Sequence, residues 1–232
     1  MKSWSDPQSP WGRRVWYEDA ELEAIAEDAV AAAGPQGFIP GRGVDVDLIL
    51  EQRCAEVDYG AQLPTTMLGR TNFMFNGTIS VELDRALVTD SESSRVARRR
   101  LRATVAHETS HVLLHARLYE FGTGNLFVEA EPEVPRVLCR EPDPRRGGPW
   151  WEQQANIVMG ALLIPKNWLK GQLLAILTRR GLSDLNAAAQ MGVMKGVLDD
   201  VADEFDTSFP LALFRLQGLG LLPADTQQQE LA

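Results

Sequence analysis

The stretch ESSRVARRRLRATVAHETSHVLLHARL, residues 92–118, reads as one long helix. Leu101, Val105 and Val112 recur at steps of four and seven, and no glycine or proline interrupts the run. At 1.5 Å per residue such a helix spans about 40 Å. It is a spine, and its apolar side has to be covered by whatever the rest of the chain builds.

Working outward, residues 84–91 read as a loop whose Asp and Ser side chains cap the long helix. Before it, NFMFNGTISVEL at 72–83 places Asn76-Gly77 between short β-prone runs, with Ile79, Val81 and Leu83 alternating with Ser80 and Glu82, the pattern of a hairpin. Helical spacing returns at 44–55 and at 18–33, the latter stopped by Gly34-Pro35. Residues 1–17 carry Trp4, Trp11, Trp16 and Tyr17 without a period and read as an arm that docks aromatics on the body. Downstream, 119–149 holds so many Gly and Pro residues that a long loop is expected. Residues 150–163 are helical again and end before Pro165, short helices fill 166–222, and 223–232 is a tail. The expected fold is α+β and mainly helical, with a small antiparallel sheet beside two long helices and a helical C-terminal part. Residues 18–165 form the central unit of that scheme and 166–222 the C-terminal one.

The chain has 232 residues, 44% apolar and 24% charged, which suits a folded globular protein. No early apolar run resembles a leader and no stretch reaches the length of a membrane span, so a cytoplasmic location is expected and no membrane contact. Cys54 and Cys139 have no metal-knuckle or redox spacing and read as free thiols. A net charge of −9 argues against direct nucleic-acid binding and suits a basic protein partner. The one basic cluster, Arg95, Arg98, Arg99, Arg100 and Arg102, reads as a solvated, partly paired helix face in preference to a phosphate site.

All three histidines fall within nine residues, HETSHVLLH at 107–115. Positions i and i+4 share a helix face, so His107 and His111 can present two imidazoles to one Zn²⁺, with Glu108 beside them as the general base. His115 continues the series but lies about 12 Å along the axis from His107, and Val112, Leu113 and Leu114 favour an unbroken helix. It therefore reads as a supporting or core histidine and not as a ligand. The better third ligand is Glu152 in WWEQQANIVMGALLIP, because a second helix packed on the first can offer one carboxylate to complete a two-histidine site with an open position. A structural zinc usually takes four protein ligands and favours cysteine, and neither cysteine is suitably placed.

HETSHVLLH, followed some forty residues later by Glu152-Gln153-Gln154-Ala155-Asn156 and then Ala161-Leu162-Leu163-Ile164-Pro165, resembles the ImmA/IrrE family of bacterial metallopeptidases. The likeness extends to the strand at 78–83 with its arginine-rich lead into the helix, and to VADEFDTSFPLALFRLQGLGLL at 201–222, which is similar to a closing helix-turn-helix-like segment. It implies a zincin-like metallopeptidase domain, with His107, His111 and Glu152 as zinc ligands, Glu108 as catalytic base and Asn156 supporting the site one turn after Glu152. Zn²⁺ is the implied ion, with Mn²⁺ as the alternative. The implied activity is cleavage of a DNA-binding helix-turn-helix repressor at one or a few bonds, in a stress-response or mobile-element circuit. The long loop at 119–149 departs from the family's layout, and Tyr119 and His115 both remain candidates for stabilising an oxyanion. The competing class is a non-catalytic transcriptional regulator, or a docking module with a structural metal. Eight acidic against two basic residues in 181–232 weigh against DNA contact by that segment.

Overall fold

The computed structural model of the chain describes residues 1–7, 9, 12–34, 38–39, 42–74, 76–120, 136–140 and 149–223. It is a mixed α+β fold. The long helix is α4, Arg95–Glu120, and it lies between a sheet and a second helix, α5, Trp150–Leu163, whose bounds are those read from sequence. Ahead of it stand α1, Asp19–Ala32, α2, Val46–Glu51, and α3, Arg85–Ser91. The segment expected as a capping loop at 84–91 is thus a helix. Asp84 does cap, accepting from Leu87 N at 3.1 Å, but the helix starts at once behind it.

Among the described residues, two ribbons and one four-stranded sheet make up the β structure. β1, Lys2–Ser5, pairs antiparallel with β2, Arg13–Trp16, so the N-terminal arm is a two-stranded ribbon. β3, Phe38–Ile39, pairs with β4, Gly43–Val44. The main sheet holds β5, Glu56–Ala61, β6, Gly69–Phe73, β7, Ile79–Asp84, and β8, Arg136–Arg140, in the order β5-β7-β6-β8. β6 and β7 form the expected hairpin, Phe73 opposite Ile79, with Gly77 at φ +83 where a β-carbon would be strained. β5 runs parallel to β7, so this sheet is mixed, and the small antiparallel sheets are the two ribbons. β8 lies inside the span expected to be a loop throughout and pairs antiparallel with β6; residues 121–135 and 141–148 of that span lie outside the described residues, as does the tail beyond 223.

Period-two alternation decides which face of the sheet meets α4. Val81 and Leu83 of β7 and Thr71 and Phe73 of β6 are buried, whereas Arg70, Asn72, Ser80 and Glu82 face the other way, where Arg70 and Glu82 form a two-point ion pair at 2.6 and 2.7 Å.

The C-terminal part holds α6, Lys166–Arg179, α7, Leu185–Gln190, α8, Met194–Glu204, and α9, Phe209–Gly218. Its core joins that of the rest, running without a break from Val15 through Val105, Val158 and Leu198 to Leu222. The arginines of α4 anchor this part. Arg98 grips the buried Asp206 carboxylate at 3.0 and 3.1 Å, Arg99 adds a bond at 3.2 Å, and Arg95 and Arg99 hold Asp203. The basic face of α4 is therefore a paired surface, and Asp206, at φ +45, is the turn between α8 and α9. No described helix is long and apolar enough to cross a membrane.

Candidate metal centre

His107 and His111 stand one turn apart on the face of α4 that packs against α5, and both are buried. Glu152 sits in the first turn of α5, after Pro149 has set the extended backbone that starts the helix, so its carboxylate lies at the positive end of the helix dipole. Across the two helices the donor atoms converge. His107 Nε2 is 3.0 Å from His111 Nε2 and 3.0 Å from Glu152 Oε2, and His111 Nε2 is 3.3 Å from Glu152 Oε1.

That triangle can be checked against the coordination chemistry. Two donors in a tetrahedral zinc shell, each about 2.0–2.1 Å from the ion, are separated by about 3.3–3.4 Å. The imidazole nitrogens stand 3.0 Å apart, and each lies 3.0–3.3 Å from one of the two Glu152 carboxylate oxygens, separations close to those of such a shell, whose fourth corner would be left for a small ligand. The residues present therefore fit a metal ion, and among the described residues this is the one group of three or more such side chains that converge in this way. Burial would raise the Glu152 carboxyl, but the hydrogen bonds with His107 and His111 outweigh it and hold the group well below the usual carboxylate range. The carboxylate is thus ionised and ready to bind a cation.

His115 lies beside His111. Its Nδ1 lies 3.0 Å from His111 Nδ1, and full burial, aided by the neighbouring His111, pushes it well below the ordinary imidazole range. For His111 to offer the Nε2 lone pair, its proton sits on Nδ1 and is donated to His115 Nδ1, which places the His115 proton on Nε2. Asn156 is half-buried one turn after Glu152, and among the described residues no hydrogen bond joins it to the donor triangle. The side chain of Tyr119 lies outside the described residues.

Glu108, the residue between the two histidine turns, is fully buried against β6. Its Oε2 accepts a hydrogen bond from Thr71 Oγ1 at 2.6 Å. Its Oε1 lies where a β-carbon on Gly69 would come within 2.7 Å, so strand and helix approach this closely only because position 69 has no side chain. Gly69 and Thr71 are site residues that sequence reasoning missed. Thr71 lies 37 positions before Glu108, and no local spacing links the two.

Cys54 is half-buried, its thiol pushed up to about 12 by burial, and it is not a member of the donor group. No family model matches the chain, and no curated protein or solved structure does.

Proposed function

We propose that the chain is a zinc-dependent metallo-endopeptidase with a zincin-like domain of the ImmA/IrrE kind, acting in the cytoplasm on a basic, DNA-binding helix-turn-helix repressor. The observation that carries the reading is the donor triangle of His107, His111 and Glu152, with a buried carboxylate, Glu108, held beside it by Thr71. Two imidazoles and one carboxylate suit Zn²⁺, Mn²⁺ being the alternative, and three donors with no cysteine favour a catalytic over a structural ion. Zinc bound there would polarise a peptide carbonyl and make a water acidic enough to ionise near neutral pH.

The remaining chemistry belongs to the chain. Glu108 takes a proton from the attacking water and passes it to the leaving nitrogen, serving first as base and then as acid. Thr71 Oγ1 donates to Oε2 and so fixes the orientation of the Glu108 carboxylate. His115 keeps His111 in the tautomer whose Nε2 lone pair faces the ion. Burial of His107, Glu108 and His111 excludes bulk water and strengthens each of these interactions.

The substrate follows from charge. A repressor carries basic surface to hold DNA, and a peptidase of charge −9 attracts it over about a Debye length, so cleavage should slow as salt rises. The test is to incubate the zinc-loaded chain with a candidate repressor encoded beside it, and with casein, alongside Glu108→Gln. Wild type should release discrete repressor fragments and leave casein largely intact, and Glu108→Gln should keep its zinc while losing about 10²–10⁴-fold in rate. Rapid casein degradation removes the substrate assignment, and an active Glu108→Gln removes the mechanism.

A further inference from the structure

The β1–β2 ribbon and the residue that follows it are tied to both helices that carry donor atoms, each tie within one helical turn of a donor residue. Tyr17 Oη donates to the Leu114 carbonyl at 3.3 Å, between His111 and His115 on α4. Gln154 Nε2, two residues after Glu152 on α5, donates to the Val15 carbonyl at 3.2 Å. Val15, Tyr17 and Gln154 are all buried, so these bonds form away from competing water. Arg14, from the same strand, lies over three indoles, 5.6 Å from Trp4, 5.0 Å from Trp16 and 5.8 Å from Trp150. Trp150 opens α5 and meets His115 edge-on at 5.8 Å, and His115 is the residue bonded to His111 Nδ1.

Two routes therefore run from the ribbon to the centre. One bridges α4 to α5 through Val15 and Tyr17, two positions apart in the chain. The other passes from Arg14 through Trp150 and His115 to a donor imidazole. An ion held at about 2 Å by donors from two helices is sensitive to shifts of a few tenths of an ångström between them.

We infer that the N-terminal ribbon is a clasp for the metal centre, in which Tyr17, Gln154 and Trp150 are positioning residues that fix the gap between the histidines of α4 and Glu152 of α5. The inference rests on the metal-centre reading above. It separates metal affinity from global stability, because the clasp acts on the gap between two helices, whereas distant core residues act on the fold as a whole.

The experiment measures zinc Kd by competition with a chromophoric chelator, and the melting temperature of each metal-free protein, using the full chain. The variants are Trp150→Ala, Trp150→Phe, the double variant Tyr17→Phe/Gln154→Ala, and His111→Ala as the loss-of-donor control. Leu198→Ala, at a fully buried site in α8, controls for lost stability alone. Trp150→Ala and the double variant should weaken zinc binding by about 10–100-fold. Trp150→Phe, which keeps a ring against His115, should stay within about threefold of wild type. Leu198→Ala should lower the melting temperature and leave the Kd alone. Should Trp150→Ala fail to fold, the double variant, which keeps the Tyr17 ring and removes no aromatic group, carries the test. Unchanged Kd in the clasp variants while His111→Ala loses zinc overturns the clasp, as does an equal loss in Leu198→Ala. A folded wild type that binds no zinc overturns the metal centre itself and the clasp with it.

Discussion

Replacing Gly69 with alanine tests how Glu108 is placed without touching a donor atom. A β-carbon there would stand 2.7 Å from Glu108 Oε1, 2.9 Å from Thr104 Cγ2 and 3.0 Å from Glu108 Cγ. Taking the carboxylate from 2.7 Å out to the 3.4 Å of ordinary contact moves it by about 0.7 Å. Glu108 and Thr71 are both fully buried, so the shift comes at the expense of the 2.6 Å bond between them. Overpacking of this kind costs about 1–3 kcal/mol of stability. A displacement approaching 1 Å at a reacting group costs up to about 10²-fold in rate. Gly69→Ala should therefore fold with a lowered melting temperature, bind zinc at the wild-type stoichiometry, and hydrolyse about 30–100-fold more slowly. Zinc content by mass spectrometry and fragment release from the repressor substrate measure the two halves. Wild-type turnover refutes the claim that β6 positions Glu108, and loss of zinc refutes the separation of base from donors.

Other perturbations address the anchor and the metal. Burial raises the Asp206 carboxyl, but hydrogen bonds from Arg98 and Arg99 outweigh it and lower the pKa, so its stabilisation is present above the unfolded value near pH 4 and lost as pH falls through the folded one. Asp206→Asn, which tolerates the φ of +45, should cost about 2 kcal/mol at pH 7 in urea melts, with the gap closing in acid; a constant gap down to pH 3 contradicts the pairing. Removing zinc with a chelator should lower the melting temperature, and zinc at about 100 times its Kd should restore about 2.7 kcal/mol, an effect absent in His111→Ala. Protons compete for the two imidazoles, so zinc retention should fall between pH 8 and pH 5, and flat occupancy would speak against imidazole ligation.

Most of the helices and the His107–His111 pair were legible because both depend on local spacing, whereas Glu152 was read from the motif it shares with the family resembled. His107 and His111 are brought together by one turn of α4, and Val81 and Leu83 declare their face by alternation with Ser80 and Glu82. What sequence reasoning missed depends on distant partners. β5 alternates too, but Glu56, Asp58 and Gly60 on its outer side mask the pattern, and its parallel pairing with β7 joins residues more than twenty positions apart. β1 and β2 are four-residue strands held by Arg14 among the indoles and by the Tyr17 and Gln154 bonds, none of which leaves a period. Arg136–Arg140 was hidden among prolines and glycines that flank the strand without entering it. Thr71 and Gly69 earn their places only once the sheet lies on α4, since nothing in residues 69–73 points to Glu108.

The central claim is that the two histidines of α4 and the carboxylate of α5 hold one zinc ion. Zinc K-edge X-ray absorption on the full chain, loaded with one equivalent of the metal, reads that shell directly. The account predicts nitrogen and oxygen neighbours at about 2.0–2.1 Å, outer scattering from two imidazoles, and loss of one imidazole's contribution in His107→Ala. A sulfur shell near about 2.3 Å, or a spectrum unchanged in His107→Ala, would contradict it.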